Sequence, residues 1–108
     1  MNIKKNVAVV GSSSFVTYFE LAGAEGFNAE NAEEAGRIVN SLIKQKGFEV
    51  IILSERFAKE TKSVREAIDK ENRSPIFVLI PDFTMKTGMR MDELRTIISS
   101  AIGTKIDL

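Results

Sequence analysis

The chemistry open to this chain rests on hydroxyls, carboxylates and amines, because its 108 residues include neither cysteine nor histidine. Without imidazole it lacks the commonest general base and the commonest metal ligand. Without thiols it has no disulfide framework and no thiolate nucleophile. The densest hydroxyl cluster is Gly11-Ser12-Ser13-Ser14, placed between an apolar run and a helical pattern, where a phosphate cradle would sit. It is neither G-x-G-x-x-G nor a P-loop, which needs a terminal Gly-Lys-Ser/Thr. Plain capping at a helix start accounts for the serines. Serines without a His or Lys partner do not make a hydrolase. The acidic pairs Glu33-Glu34 and Asp92-Glu93 stand where helices begin, and there the helix dipole favours them. No metal-ligand spacing is present. The chain is therefore expected to have no catalytic residue, no cofactor and no metal.

Continuous apolar runs dominate the sequence that positions these groups. Val7-Ala8-Val9-Val10, Val50-Ile51-Ile52-Leu53 and Ile76-Phe77-Val78-Leu79-Ile80 show no in/out alternation, as strands buried on both faces do. Gly26-Phe27-Asn28-Ala29 is a weaker, short edge strand. Phe15, Val16, Tyr18, Phe19 and Ala22 recur at helical spacing, with Ser14 as a possible N-cap and Gly23 as the stop. Asn31 with Glu34 forms a variant capping box. Behind it Ala35, Ile38, Val39, Leu42 and Ile43 line one helical face that Gly47 ends. A third helix, capped by Ser54, turns Phe57, Thr61, Val64 and Ile68 inward, and Asn72-Arg73-Ser74-Pro75 stops it.

Alternating strands and helices with short connections imply right-handed crossovers. The expected fold is α/β, a four-stranded parallel sheet of strand order 2-1-3-4 flanked by helices, receiver-like or Rossmann-like, plus a C-terminal helix. That order leaves the apolar strand Ile76 to Ile80 at an edge, where exposed strands invite pairing. Either the last helix or a partner chain must cover it. Three segments follow: residues 1–81 as the sheet domain, 82–91 as a Met-rich loop, and 92–108 as a C-terminal helix and tail. In the loop, Phe83, Met85, Met89 and Met91 suit either partner contact or a satellite cluster. In the helix, Leu94, Ile97, Ile98, Ala101 and Ile102 form one apolar stripe. Each large side chain on it gains roughly 1.5–3 kcal/mol by burial.

Charge bounds the partners. Lys plus Arg and Asp plus Glu both count 15, so no basic excess points to nucleic acid. The run Val7 to Val10 is far too short for a membrane span, and a cytoplasmic location is expected. A receiver domain of response regulators would need acids after the first strand, where Ser12, Ser13 and Ser14 stand. It would also need a phosphoacceptor Asp where Leu53-Ser54 stands. Phosphotransfer is not expected.

Nearly the whole chain resembles the F-subunit family of the V-type and A-type ATPases. The similarity lies in the opening strand with Phe19-Glu20-Leu21-Ala22-Gly23, in Ile51-Ile52-Leu53-Ser54-Glu55 with Phe57-Ala58, in Pro75 through Pro81, and in the ending Leu94-Arg95 then Ala101-Ile102-Gly103-Thr104-Lys105-Ile106-Asp107-Leu108. Ser12, Tyr18 and the Met-rich loop depart from the family pattern. The resemblance implies a non-catalytic component of the central stalk, or rotor. Such a component docks on the coiled coil of the rotor's D subunit and reaches the catalytic A/B head through its C-terminal helix. It is peripheral to the membrane as part of the ATPase complex, without insertion of its own. The partner-binding residues are then expected to be Phe83, Met85, Met89, Arg90, Met91, Leu94, Arg95, Ile97, Ile98, Ala101 and Ile102. The competing reading is a receiver-like signalling or binding module without a phosphoacceptor site.

Overall fold

The computed structural model describes residues 6–71, residues 73–81 and Thr96. Its strands are β1 (Val7–Gly11), β2 (Glu25–Asn28), β3 (Val50–Ser54) and β4 (Ile76–Ile80). Between them run α1 (Ser13–Glu20), α2 (Ala32–Gln45) and, after a 3-10 turn at Glu55–Phe57, α3 (Ala58–Lys70). The sheet is wholly parallel with order β2-β1-β3-β4, as the apolar runs predict.

Handedness divides the helices between the faces. The crossover from β1 to β2 runs one way along the sheet, and the next two run the other way. Right-handed connections therefore put α1 on one side and α2 with α3 on the other. Alternate strand residues sort accordingly. Val7, Val9, Val50, Ile52, Val78 and Ile80 cluster with Phe15, Val16 and Phe19 of α1. Ala8, Val10, Ile51 and Leu53 cluster with Ala35, Val39 and Leu42 of α2 and with Phe57. Every residue of β1 and β3 is buried, which is why neither strand alternates in hydropathy.

The capping box forms as its spacing predicts. Glu34 N–H donates to Asn31 Oδ1 at 2.9 Å, and Asn31 Nδ2 donates back to Glu34 Oε1 at 3.1 Å. Replacing Asn31 by Ala is expected to cost about 1 kcal/mol. The check is a lower urea midpoint with an unchanged slope.

Several boundaries differ from the sequence expectation, and β2 runs one residue earlier than Gly26–Ala29. Ser12, not Ser14, is the N-cap of α1, and its side chain makes no capping hydrogen bond. The left-handed residue closing α2 is Lys46 at φ 56°, one residue before Gly47. Ser54 is drawn into β3 opposite Ile80 and is fully buried. Ser54 is the N-cap of the 3-10 turn Glu55–Phe57, without a side-chain capping bond, and α3 itself starts from Phe57. Its inner stripe is as expected, with Phe57, Thr61 and Ile68 buried and Val64 half-buried.

Candidate interaction surface

The hydroxyl turn opens α1, with Ser13 and Ser14 exposed and Ser12 at the N-cap without a side-chain capping bond. A Cβ on Gly11 would stand 2.6 Å from Phe15 Cδ1, so glycine there admits the Phe15 ring against the backbone. The turn after β1 is shaped by that ring. The buried Ser54 takes the position a phosphoacceptor would need. Glu34 is engaged in the α2 cap, and its Oε1 also accepts from Glu30 N–H at 3.4 Å. Asp92 and Glu93 lie outside the described residues. Among the described residues, no group of His, Cys, Asp and Glu could hold a metal ion. No buried side-chain polar atom among them lacks a hydrogen-bond partner.

All eleven partner-binding residues expected from sequence, Phe83, Met85, Met89, Arg90, Met91, Leu94, Arg95, Ile97, Ile98, Ala101 and Ile102, lie outside the described residues. So do the loop and the C-terminal helix expected to carry them, apart from Thr96. What the described structure adds is a groove of ≈ 240 Å³ between α3 and β4. Pro75, Ile76, Phe77 and Leu79 supply its apolar wall, and Arg65, Glu66, Asp69 and Arg73 its charged rim. Phe77 and Leu79 are half-exposed there although α3 packs on β4.

Two of the rim cations are held in different ways. Arg65 folds back along α3: its Nε donates to Thr61 Oγ1 at 3.0 Å and its Nη2 to the Ala58 carbonyl at 2.7 Å. Thr61 Oγ1 in turn donates to the Phe57 carbonyl at 2.8 Å. This network fixes the guanidinium at the first turn of α3 and satisfies a buried hydroxyl. Arg73 pairs with Glu71 at 2.7 Å with both side chains half in water, a contact worth little on its own. Apolar wall and mixed-charge rim together can seat an apolar side chain flanked by polar contacts. They carry no nucleophile activated by a base.

The sequence expectation did not include this groove. Its signal was the apolar edge strand, which marked a surface in need of cover. Which helix would flank it, and with which charges, depended on how α3 crosses β4.

Comparison with known proteins points to one family. The sequence model of the family described as ATP synthase (F/14-kDa) subunit matches residues 7–98. The F subunit of the A-type ATP synthase of Methanothermobacter thermautotrophicus is 33% identical over 105 residues, covering 96% of this chain and 98% of that protein. The A-type F subunit of Methanocaldococcus jannaschii is 33% identical, with 93% and 97% covered. The F subunit of the V-type ATP synthase of Fusobacterium nucleatum is 26% identical, with 98% and 99% covered.

Proposed function

The chain belongs to the ATP synthase (F/14-kDa) subunit family, and we propose that it serves as a non-catalytic rotor component in the central stalk of a V/A-type complex. It docks on the coiled coil of the D subunit. Through its C-terminal helix it reaches the catalytic A/B head and couples or regulates ATP turnover with ion transport. The observation that carries this reading is the near end-to-end match to relatives of the same length. Among the described residues no helix is long and apolar enough to cross a membrane. The reading places the chain on the cytoplasmic side, held peripherally by its partners.

Partner contacts in this reading come from Phe83, Met85, Met89, Arg90 and Met91 of the loop and from Leu94, Arg95, Ile97, Ile98, Ala101 and Ile102. The α3–β4 groove contributes Phe77 and Leu79. Half-exposed apolar residues beside charges of both signs suit a coiled coil, whose surface alternates in the same way.

Co-expression with the coiled-coil rotor protein of the same genome tests the proposal. A 1:1 heterodimer that survives gel filtration at micromolar concentration is expected. Two monomers eluting separately, with both chains folded, would overturn it.

A further inference from the structure

The two arginines on the rim of the α3–β4 groove differ in what holds them. Arg73 reaches Glu71 with both side chains half in water. Arg65 is half-buried and tied twice to α3, from Nε to Thr61 Oγ1 at 3.0 Å and from Nη2 to the Ala58 carbonyl at 2.7 Å. Both acceptors are uncharged oxygens. These bonds use Nε and one side of Nη2, and the Nη1 end of the guanidinium remains for a further acceptor. Thr61 holds its oxygen in place because it is 1% exposed and donates to the Phe57 carbonyl at 2.8 Å. Folding has thus fixed a long cationic side chain through neutral groups.

The space beside it is small. Its ≈ 240 Å³ falls below the roughly 300–1,000 Å³ of a small-molecule site. A helix of about 10 Å diameter does not enter it. A side chain presented by a helix lying across the rim does. The order of charges then selects the kind of partner. Because α3 joins two parallel strands it runs opposite to them, so Arg65 stands towards the carboxyl end of β4 and Arg73 towards its amino end, with Glu66 and Asp69 between. A second copy paired edge to edge through β4 would reverse that order. Arg65 would then meet Arg73 of the second copy, and Glu66 would meet Asp69. Like charges oppose that occupant. A different chain can set an acid against Arg65.

We infer that Arg65 is the polar anchor of the groove, its Nη1 end taking a carboxylate from a helix of the coiled-coil partner. One turn away, at i+3 or i+4, the same helix presents an apolar side chain that enters against Phe77 and Leu79. This inference rests on the docking proposed above and adds to it the group that sets the register. An arginine already immobilised loses little rotamer freedom on binding. A fork pair with a carboxylate fixes direction as well as contact, and arginines in desolvated pockets carry much of an interface's affinity. Thr61 is the positioning residue, holding Nε from inside the chain.

The test is calorimetric titration of the full-length chain with the coiled-coil rotor protein of the same genome. Arg65→Gln is expected to weaken binding about 10- to 100-fold. Arg65→Lys should lose nearly as much, since an ammonium keeps the charge but not the fork. Both should unfold near the parent urea midpoint, because the Thr61–Phe57 bond is untouched. Thr61→Val should weaken binding less, and cause no further loss in the Arg65→Gln background, a coupling that a merely structural role would not produce. Should the Arg65 variants fail to fold, amide replacement of the partner's surface carboxylates, one at a time against the parent chain, reads the same contact. One replacement should then cost the same factor, and a series in which none does overturns the inference. Parent-like affinity in a folded Arg65→Gln chain also overturns it, while leaving the docking itself intact. Absence of any heterodimer with the parent chain removes both.

Discussion

A Phe15→Ala chain is expected to lose about 3–5 kcal/mol of stability, the usual cost of emptying a large aromatic site. That is a large share of the roughly 5–15 kcal/mol that holds a domain of this kind together. Phe15 is fully buried and stacks at a tilt on Phe19 with ring centroids 5.1 Å apart. It also lies against the backbone of Gly11, so the two positions are coupled. Gly11→Ala alone drives a methyl to 2.6 Å from Phe15 Cδ1, an overpacking expected to cost about 1–3 kcal/mol. In the Phe15→Ala background the same methyl enters the vacated space, and most of that cost should disappear. A double-mutant cycle by urea unfolding, followed by circular dichroism, measures the coupling. Additive losses would show that the Phe15 ring is not what Gly11 makes room for.

The second large effect separates two neighbours on one strand. Val78→Lys places a charge at a site 2% exposed with no counter-charge among its described core neighbours. Several kcal/mol of desolvation are expected to abolish cooperative unfolding. Leu79→Lys points into the half-exposed groove, where the aliphatic stem can lie on the apolar wall with its ammonium in water. That chain should fold with nearly the parent midpoint. It should also lose about tenfold in affinity for the coiled-coil partner proposed above, since about 1.4 kcal/mol of apolar contact corresponds to that factor. Parent-like affinity in a folded Leu79→Lys chain would remove the groove from the docking surface and leave the loop and helix.

The sheet was legible because its signals are local and repeated. Three apolar runs of four or five residues, each closed by Gly, Ser or Pro, admit few arrangements once crossovers must be right-handed. Asn31 and Glu34 were legible for the same reason, as a cap whose two hydrogen bonds are fixed by spacing. The boundaries that moved depend on tertiary contact. Any of three consecutive serines could start α1, and the packing of Phe15 on Gly11 goes with a start at Ser12. Ser54 caps the 3-10 turn ahead of α3, while pairing opposite Ile80 also extends β3 through it. Lys46 takes the left-handed turn that Gly47 could have taken more easily. The groove was illegible for a related reason. Arg65 and Phe77 are distant in sequence and share a wall only because α3 lies across β4. Sequence did indicate that Ile76 to Ile80 needed cover.

The parallel register has a mechanical consequence. β1, bonded to β2 on one flank and β3 on the other, is an interior strand and also the first. β3 then joins it to β4 through in-register ladders, Val7↔Val50 to Val10↔Leu53 and Val50↔Ile76 to Ser54↔Ile80. Tension entering at the amino end of β1 and leaving at the carboxyl end of β4 runs along the strands. It therefore loads each ladder in shear, with its evenly spaced bonds strained together. A hairpin pulled at its open end would instead unzip one bond at a time. In the rotor role proposed above, a fold that yields along this direction only when a whole ladder yields is suited to transmit load.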